Sequence, residues 1–149
     1  MKHKTTVLVT GGLGYIGSHS VVELIASGYE VLIVDDLSNT EKDVLSKLEK
    51  LTQVEIPFFQ LDLRDKAELN KLFQSHKIDC VFHFASSIYV DVSMENPLNY
   101  YNNNLVSLLN LLNVMKENEV KNLVFSSSCT VYGQPTTLPI SEASPIQNS

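Results

Sequence analysis

The stretch TTVLVTGGLGYIG, residues 5–17, decides the fold. Its first six residues form a short β-branched run, which is typical of a buried parallel strand. Glycines then stand at Gly11, Gly14 and Gly17, and apolar residues at helical spacing follow them. Glycines so spaced permit a tight turn, close approach of a pyrophosphate to the backbone, and close packing of helix on strand. The stretch therefore predicts a strand, a phosphate-binding turn and a helix.

The alternation of strand and helix continues along the chain. Apolar runs predict five strands, at residues 5–10, 30–34, 58–61, 80–84 and 123–127. Between them, helical spacing predicts four helices, at residues 15–27, 38–51, 65–76 and 97–118. This order predicts an α/β, Rossmann-type, doubly wound parallel sheet of three layers. We expect one domain of about five strands over residues 1–149.

Three local signals set the expected ends of the helices. Ser38 with Glu41, and Asp65 with Glu68, have the spacing of a capping box, so a helix is expected to begin at each. Gly28 stands where the glycine after a helix C-terminus belongs.

Two carboxylates follow predicted strands and indicate the ligand. Asp35 ends strand two, 18 residues beyond Gly17, where a carboxylate can accept hydrogen bonds from an adenosine ribose. It would repel a 2′-phosphate, and no arginine lies near it in the sequence, which favours NAD over NADP. Asp62 follows strand three and is expected at the adenine edge. The alternatives are that Asp35 caps a loop and that Asp62 caps a helix.

Composition excludes several other classes of protein. The net charge of -6 argues against a nucleic-acid binder, and no apolar stretch reaches membrane-spanning length. Cys80 and Cys129 lie in apolar runs and are expected to be buried, reduced thiols. No His, Cys and carboxylate grouping has the spacing of a metal site. With no signal peptide evident, the sequence predicts a cytoplasmic protein.

Four longer motifs carry a resemblance to a known family. They are TGGLGYIGSH at 10–19, VDDLSN at 34–39, NYYNNN at 99–104 and FSSSCTVYG at 125–133. The glycine motif is shared by many extended short-chain dehydrogenases/reductases. Together with the serine-rich run, it makes the chain closely similar to the N-terminal part of the UDP-glucose 4-epimerases.

The resemblance implies which residues contact NAD and the UDP-sugar. The contacts with the pyrophosphate would be Gly11, Gly14, Tyr15, Ile16 and Gly17. The contacts with the adenosine would be Asp35, Asp36 and Asn39 at the ribose, and Asp62 and Leu63 at the adenine. The remaining cofactor contacts would be Phe84, Ala85, Asn103 and Ser126. Ser128 would be the catalytic hydroxyl that bonds the sugar 4-oxygen beside a tyrosine base. The implied reaction is reversible oxidation at C4 of a UDP-hexose through a 4-keto intermediate. The resemblance leaves open which hexose it is.

Two departures from the family pattern bear on activity. The loop after strand four has Ile88 where the family usually has a lysine that touches the cofactor ribose. No tyrosine of the chain has a lysine four residues later, the pair that supplies the base. The chain alone is therefore expected to be inactive. The resemblance also implies that the Rossmann domain at residues 1–149 is truncated at about five strands and lacks the later strands and the substrate domain. The missing next helix should leave Leu105, Leu109 and Leu112 exposed to solvent or to a partner chain, and we expect a homodimer through helix 97–118. The alternatives are a non-catalytic NAD(H)-binding regulatory module and a nucleotide-sugar dehydratase or decarboxylase.

Overall fold

A computed structural model describes residues 4–87, 97–135 and 137–146 of the chain. Its five strands form one parallel sheet in the order β3-β2-β1-β4-β5. The strands are β1 (Thr6–Thr10), β2 (Glu30–Asp35), β3 (Phe58–Gln60), β4 (Cys80–His83) and β5 (Asn122–Phe125). The helices are α1 (Tyr15–Ala26), α2 (Asp43–Thr52), α3 (Lys66–Ser75), α4 (Pro97–Tyr101) and α5 (Ser107–Glu117). The predicted Rossmann-type fold is confirmed.

The strand order places a crevice between β1 and β4. From β1 the chain moves outward through β2 to β3, then returns to the other side of β1 and continues to β5. The two connections therefore leave in opposite directions at the carboxyl ends of β1 and β4, the arrangement in which doubly wound folds bind their ligand. Thr10 and His83 are paired at this point.

Apolar side chains of β1 alternate between two cores. Leu8 lies on one face of the sheet, against Leu69 of α3 and Leu111 of α5. Val7 and Val9 lie on the other face, in the same core as Val21 of α1 and Leu48 of α2. Because both faces are covered at the centre of the sheet, β1 and β2 are buried and apolar in their middle rather than alternating with polar residues, whereas the edge strand β5 is largely exposed.

The two predicted capping boxes have different outcomes. Asp65 caps α3, since its Oδ1 accepts the Glu68 N–H at 3.1 Å. The box at Ser38 is wrong, because α2 begins only at Asp43 and has no side-chain cap. Residues 37–40 instead form a loop whose polar groups bind the carboxylates that end β2.

The long helix is not a regular α-helix. A π-helical turn, Asn102–Val106, joins α4 to α5. One face of α5 packs on the sheet through Leu111, Val114 and Met115, which are buried. The opposite face of α5 carries the exposed side chains of Leu109 and Leu112, and Leu105 in the π-helical turn is exposed as well, as expected.

The two cysteines do not share the buried environment expected of them. Cys80 is half-buried in β4, and burial raises the pKa of its thiol. Cys129 is exposed. It lies after β5 in a 3-10 turn, Cys129–Tyr132, which extends from the sheet edge rather than into the core. The prediction of two buried thiols is therefore wrong for Cys129.

His83 is a buried histidine whose ring nitrogen Nδ1 lies 2.6 Å from the Thr10 hydroxyl. Burial lowers its pKa from the ordinary 6.5 to about 4. Between these values the unfolded chain binds a proton that the folded chain does not. Stability should therefore fall as the pH drops from 6.5 towards 4, by about 3 kcal/mol at most.

Urea unfolding across this pH range measures the effect. The carboxamide of a His83→Gln variant can still accept the Thr10 hydroxyl but does not titrate. The free energy of unfolding of this variant should therefore decrease less over the same pH range. Equal losses in the two proteins would show that His83 is not the titrating group.

Candidate functional site

The glycine turn between β1 and α1 has no room for side chains at two of its positions. Gly11 has φ of +68°, and a Cβ there would lie 2.7 Å from the Ala85 backbone nitrogen. A Cβ on Gly17 would lie 2.1 Å from the Gly11 carbonyl oxygen. The loop after β4, the glycine turn and the start of α1 therefore pack against one another through backbone atoms, with no side chain between them.

The first turn of α1 presents free backbone donors at the crevice. Gly14 is the N-cap residue and has no side chain to cap the helix, and the first turn holds no acidic residue. The N–H groups of Tyr15 and Ile16 precede the first bond of the helix, which Ser18 makes to Gly14. Both of these residues are exposed. A phosphate fits this position, since backbone N–H groups and the helix dipole both favour an anion.

Asp35 ties the glycine turn to the loop after β2. Its Oδ2 accepts the Leu13 N–H at 3.1 Å, and its Oδ1 accepts the Leu37 N–H at 3.0 Å and the Thr40 hydroxyl at 2.8 Å. The residue is buried. A carboxylate has about four acceptor positions, so one remains for a ribose hydroxyl. Asp35 therefore also joins the glycine turn to the loop after β2, a structural role that the sequence did not predict.

The neighbouring ribose candidates lie at the rim. Asp36 is half-buried and accepts the Ser38 N–H at 2.9 Å. Asn39 is exposed. Both follow β2 directly, so they flank the predicted adenosine position.

An arginine lies at the adenine end of the site, although none lies near Asp35 in the sequence. Arg64 forms a bidentate pair with Asp62, with Nε to Oδ1 at 3.0 Å and Nη2 to Oδ2 at 2.6 Å. Hydrogen bonds to Asp62 raise the pKa of Arg64, and the charges of Asp62 and Asp36 add to this. The same hydrogen bonds lower the pKa of Asp62. Asp62 occupies the Nε and Nη2 donors of the guanidinium and offsets its charge, which makes Arg64 a weaker partner for a 2′-phosphate.

Leu63, the other predicted adenine contact, has its side chain in the core. It is only 5% exposed and belongs to the cluster beneath α3 and α5. Only its backbone can contact an adenine ring.

The loop after β4 is fixed at both ends. The Phe84 N–H donates to the Thr10 carbonyl at 2.9 Å. Asn104 binds both backbone groups of Ser87, and Asn103 donates to Asn104 at 3.1 Å. Phe84, Ala85 and Asn103 are all half-buried around the crevice. Ile88 lies outside the described residues.

The hydroxyl residues after β5 lie at the same edge of the sheet. The Ser126 N–H donates to the His83 carbonyl, which extends the β4–β5 pairing. Ser128 is exposed and caps the following 3-10 turn, with its Oγ 2.8 Å from the Thr130 hydroxyl. Its hydroxyl can therefore reach a bound molecule while keeping a hydrogen-bond partner.

Sequence reasoning missed Thr40, Arg64, Asn104 and Asn110, which hold the loops of this crevice together. The Asn102-Asn103-Asn104 run was the available signal, because three asparagines are unfavourable inside a helix. Across residues 4–87, 97–135 and 137–146, no cluster of three His, Cys, Asp or Glu could hold a metal ion. Over the same residues, no helix is long and apolar enough to cross a membrane.

Comparisons with known proteins agree with this geometry. The family model described as GDP-mannose 4,6 dehydratase matches residues 8–149. A UDP-glucose 4-epimerase of Schizosaccharomyces pombe is 48% identical over 147 residues, which are 96% of this chain and 41% of the relative. One of Bacillus subtilis is 44% identical over 140 residues, which are 94% of this chain and 41% of the relative.

Solved structures give the same result. The UDP-glucose 4-epimerase of Bifidobacterium longum, crystallised with NAD⁺ and UDP, matches with a TM-score of 0.88 at 44% identity. The match covers 97% of this chain and 43% of that one. This chain thus spans about two fifths of the length of these epimerases, and about one fifth of the bifunctional GAL10 proteins that it also matches.

Proposed function

The chain belongs to the family described as GDP-mannose 4,6 dehydratase, and we propose that it is the NAD-binding part of a UDP-hexose 4-epimerase. The observation that carries the proposal is the shared edge of the sheet. The glycine turn after β1 and the Ser128 hydroxyl after β5 both lie at the carboxyl ends of parallel strands. A dinucleotide bound at the switch point would lie between them.

In this proposal the chain's own residues bind and orient. The N–H groups of Tyr15 and Ile16 hold the pyrophosphate, and Asp35 accepts a ribose hydroxyl. Ser128 donates to the 4-oxygen of the sugar and fixes the C4 hydrogen toward the cofactor. When bound, NAD⁺ supplies the hydride acceptor for oxidation at C4. The tyrosine–lysine pair that would take the 4-hydroxyl proton is not among these 149 residues.

Dehydration is the reaction that the family name suggests, and two residues argue against it. Sugar-nucleotide 4,6-dehydratases resemble this chain but carry Asp-Glu after the active-site hydroxyl residue. Here those positions are Cys129 and Thr130. Neither side chain is a carboxylic acid that could work on the C5–C6 bond. The decarboxylases usually carry Glu where Thr130 stands. Epimerisation is therefore favoured.

A chimaera tests the proposed reaction. Residues 1–149 replace the matching part of the Bacillus subtilis relative, to which they are 44% identical. We expect the purified chimaera to interconvert UDP-galactose and UDP-glucose. Its Ser128→Ala variant should lose about 10²-fold in kcat, as expected when one donor to a reacting oxygen is removed.

The matched control is Ser127→Ala, which removes an exposed neighbouring hydroxyl and should leave kcat within about two-fold. A folded chimaera that binds NAD⁺ but epimerises nothing would contradict the proposal. It would favour the alternative, a non-catalytic NAD(H)-binding module.

We also propose that copies of the chain associate through the long helix. The exposed Leu105, Leu109 and Leu112 supply the apolar surface for a homodimer. A strictly monomeric sedimentation profile at high concentration would contradict this. The cytoplasmic location, and the lack of nucleic-acid and membrane partners, stay predictions from the sequence.

A further inference from the structure

The long helix reaches the loop after β4 through one carboxamide. Asn104 Oδ1 accepts the Ser87 N–H at 2.7 Å, and Asn104 Nδ2 donates to the Ser87 carbonyl at 3.0 Å. Both backbone groups of a single loop residue are thus satisfied by one side chain. Such a two-point contact fixes the position and the rotation of the peptide at Ser87.

The position of this loop matters to the glycine turn. Ala85, two residues before Ser87, lies so close to Gly11 that a Cβ on Gly11 would be 2.7 Å from its backbone nitrogen. Oδ1 of Asn104 also accepts a bond from the Asn103 side chain. One carboxamide therefore sets the loop against the turn and holds the side chain of Asn103 in place.

A second asparagine of the long helix, Asn110, binds the backbone of the loop on the other side of the crevice. Asn110 Nδ2 donates to the Leu63 carbonyl at 3.2 Å and to the Arg64 carbonyl at 3.0 Å. These residues follow Asp62 directly after β3. The side chain of Asn110 thus holds the loop at the far end of the sheet.

The π-helical turn accounts for the placement of Asn103 and Asn104. A π turn carries more than four residues, so it widens the helix locally, and such turns occur frequently at functional sites. In this protein the turn spans Asn102–Val106 and is preceded and followed by regular α-helix. It brings two consecutive asparagine side chains into contact with each other beside the crevice.

We infer that Asn104 and Asn110 are positioning residues, each for one half of the bound dinucleotide. The inference rests on the proposed NAD binding. Asp35 on β2 places the adenosine half over β2 and β3, so the nicotinamide half lies over β4 and β5. Asn104 therefore acts on the nicotinamide half and Asn110 on the adenosine half.

Calorimetric titration of the 149-residue chain with NAD⁺ and with ADP separates the two halves. Asn104→Ala should weaken NAD⁺ binding about ten-fold and ADP binding less than about two-fold. ADP lacks the nicotinamide half, and the glycine turn that would hold its diphosphate keeps its own bonds, from Leu13 N–H to Asp35 and from Gly11 N–H to the Val34 carbonyl. Asn110→Ala should weaken both about equally. The near-isosteric Asn104→Asp keeps the acceptor for the Ser87 N–H but loses the donor, so it should show the same selective loss.

The matched control is Asn118→Ala at the far end of α5. Asn118 also makes two side-chain bonds, to Asn70 and to the Val114 carbonyl, but none to a crevice loop. Its loss should leave both affinities unchanged. Thermal unfolding of each variant identifies any that fails to fold.

Two negative results have different meanings. If the wild-type chain bound neither NAD⁺ nor ADP, the proposed cofactor function would fail and this inference with it. If the wild type bound both, and the folded Asn104 variants bound NAD⁺ as tightly or lost both ligands equally, only the inference would be overturned.

Discussion

Replacing Gly17 with alanine is expected to destabilise the chain by about 4 kcal/mol or more, a large fraction of the stability of a small domain. The new Cβ would lie 2.1 Å from the Gly11 carbonyl oxygen and 2.9 Å from the Gly12 Cα. These are backbone atoms, so no side-chain rotation relieves the contact. Helix propensity alone predicts the opposite sign, since alanine is favoured over glycine inside a helix by about 1 kcal/mol.

Urea unfolding followed by circular dichroism measures this effect. The control is Gly28→Ala, at a residue with φ of +87° but nothing within 4 Å of its Cβ position. That variant should lose only the cost of the left-handed backbone, about 1–2 kcal/mol. A Gly17→Ala protein as stable as the wild type would show that α1 and β1 are not packed as described.

Replacing Asp35 with asparagine is expected to lower both stability and cofactor affinity. The carboxylate accepts three hydrogen bonds, from the N–H groups of Leu13 and Leu37 and from the Thr40 hydroxyl. In asparagine an NH2 group replaces one of the two oxygens, so at least one of these donors would face another donor. We expect a loss of about 2–3 kcal/mol in the free energy of unfolding. Under folding conditions, NAD⁺ affinity should fall at least about ten-fold, because the glycine turn and the ribose acceptor are both disturbed.

Parallel titrations with NADP⁺ test the basis of selectivity. The wild type should bind NAD⁺ but not NADP⁺, since two carboxylates follow β2 and Asp62 engages Arg64. In the variant the ratio of the two affinities should shift towards NADP⁺. Asp65→Asn is the control, because asparagine caps a helix as well as aspartate does. Equal NAD⁺ and NADP⁺ binding by the wild type would contradict the assignment of Asp35.

The sequence predicted correctly those parts of the fold in which a single physical requirement decides the type of residue at each position. The glycine turn is such a case, because no other residue fits at Gly11 and Gly17. The central strands β1 and β2 are another, because both of their faces are buried and their middle residues are apolar. The exposure of Leu105, Leu109 and Leu112 was expected from the family resemblance, because the helix that packs on this face in the family is not among these residues.

The parts that failed depend on competition between polar groups that are distant in sequence. Ser38 and Glu41 have capping-box spacing, but Asp35 binds Thr40 and Leu37, so the segment forms a loop instead. The bond from Asn104 to Ser87 joins residues 17 apart across a loop, and nothing in either residue type specifies that contact. Arg64 lies far from Asp35 in sequence and meets the site only because β3 is beside β2.

The central position of β1 has a consequence for synthesis on the ribosome. One edge of β1 pairs with β2, which follows about 24 residues later in the chain. The other edge pairs with β4, which follows 73 residues later, and stays unpaired until β4 has been synthesised. At a translation rate of roughly 5–20 residues per second, β4 emerges about 4 to 15 s after β1. For that time the nascent chain exposes an apolar, unpaired strand edge, the kind of template that recruits other chains. Chaperone capture during this interval, rather than the final stability, would then govern how much of the protein reaches its folded state.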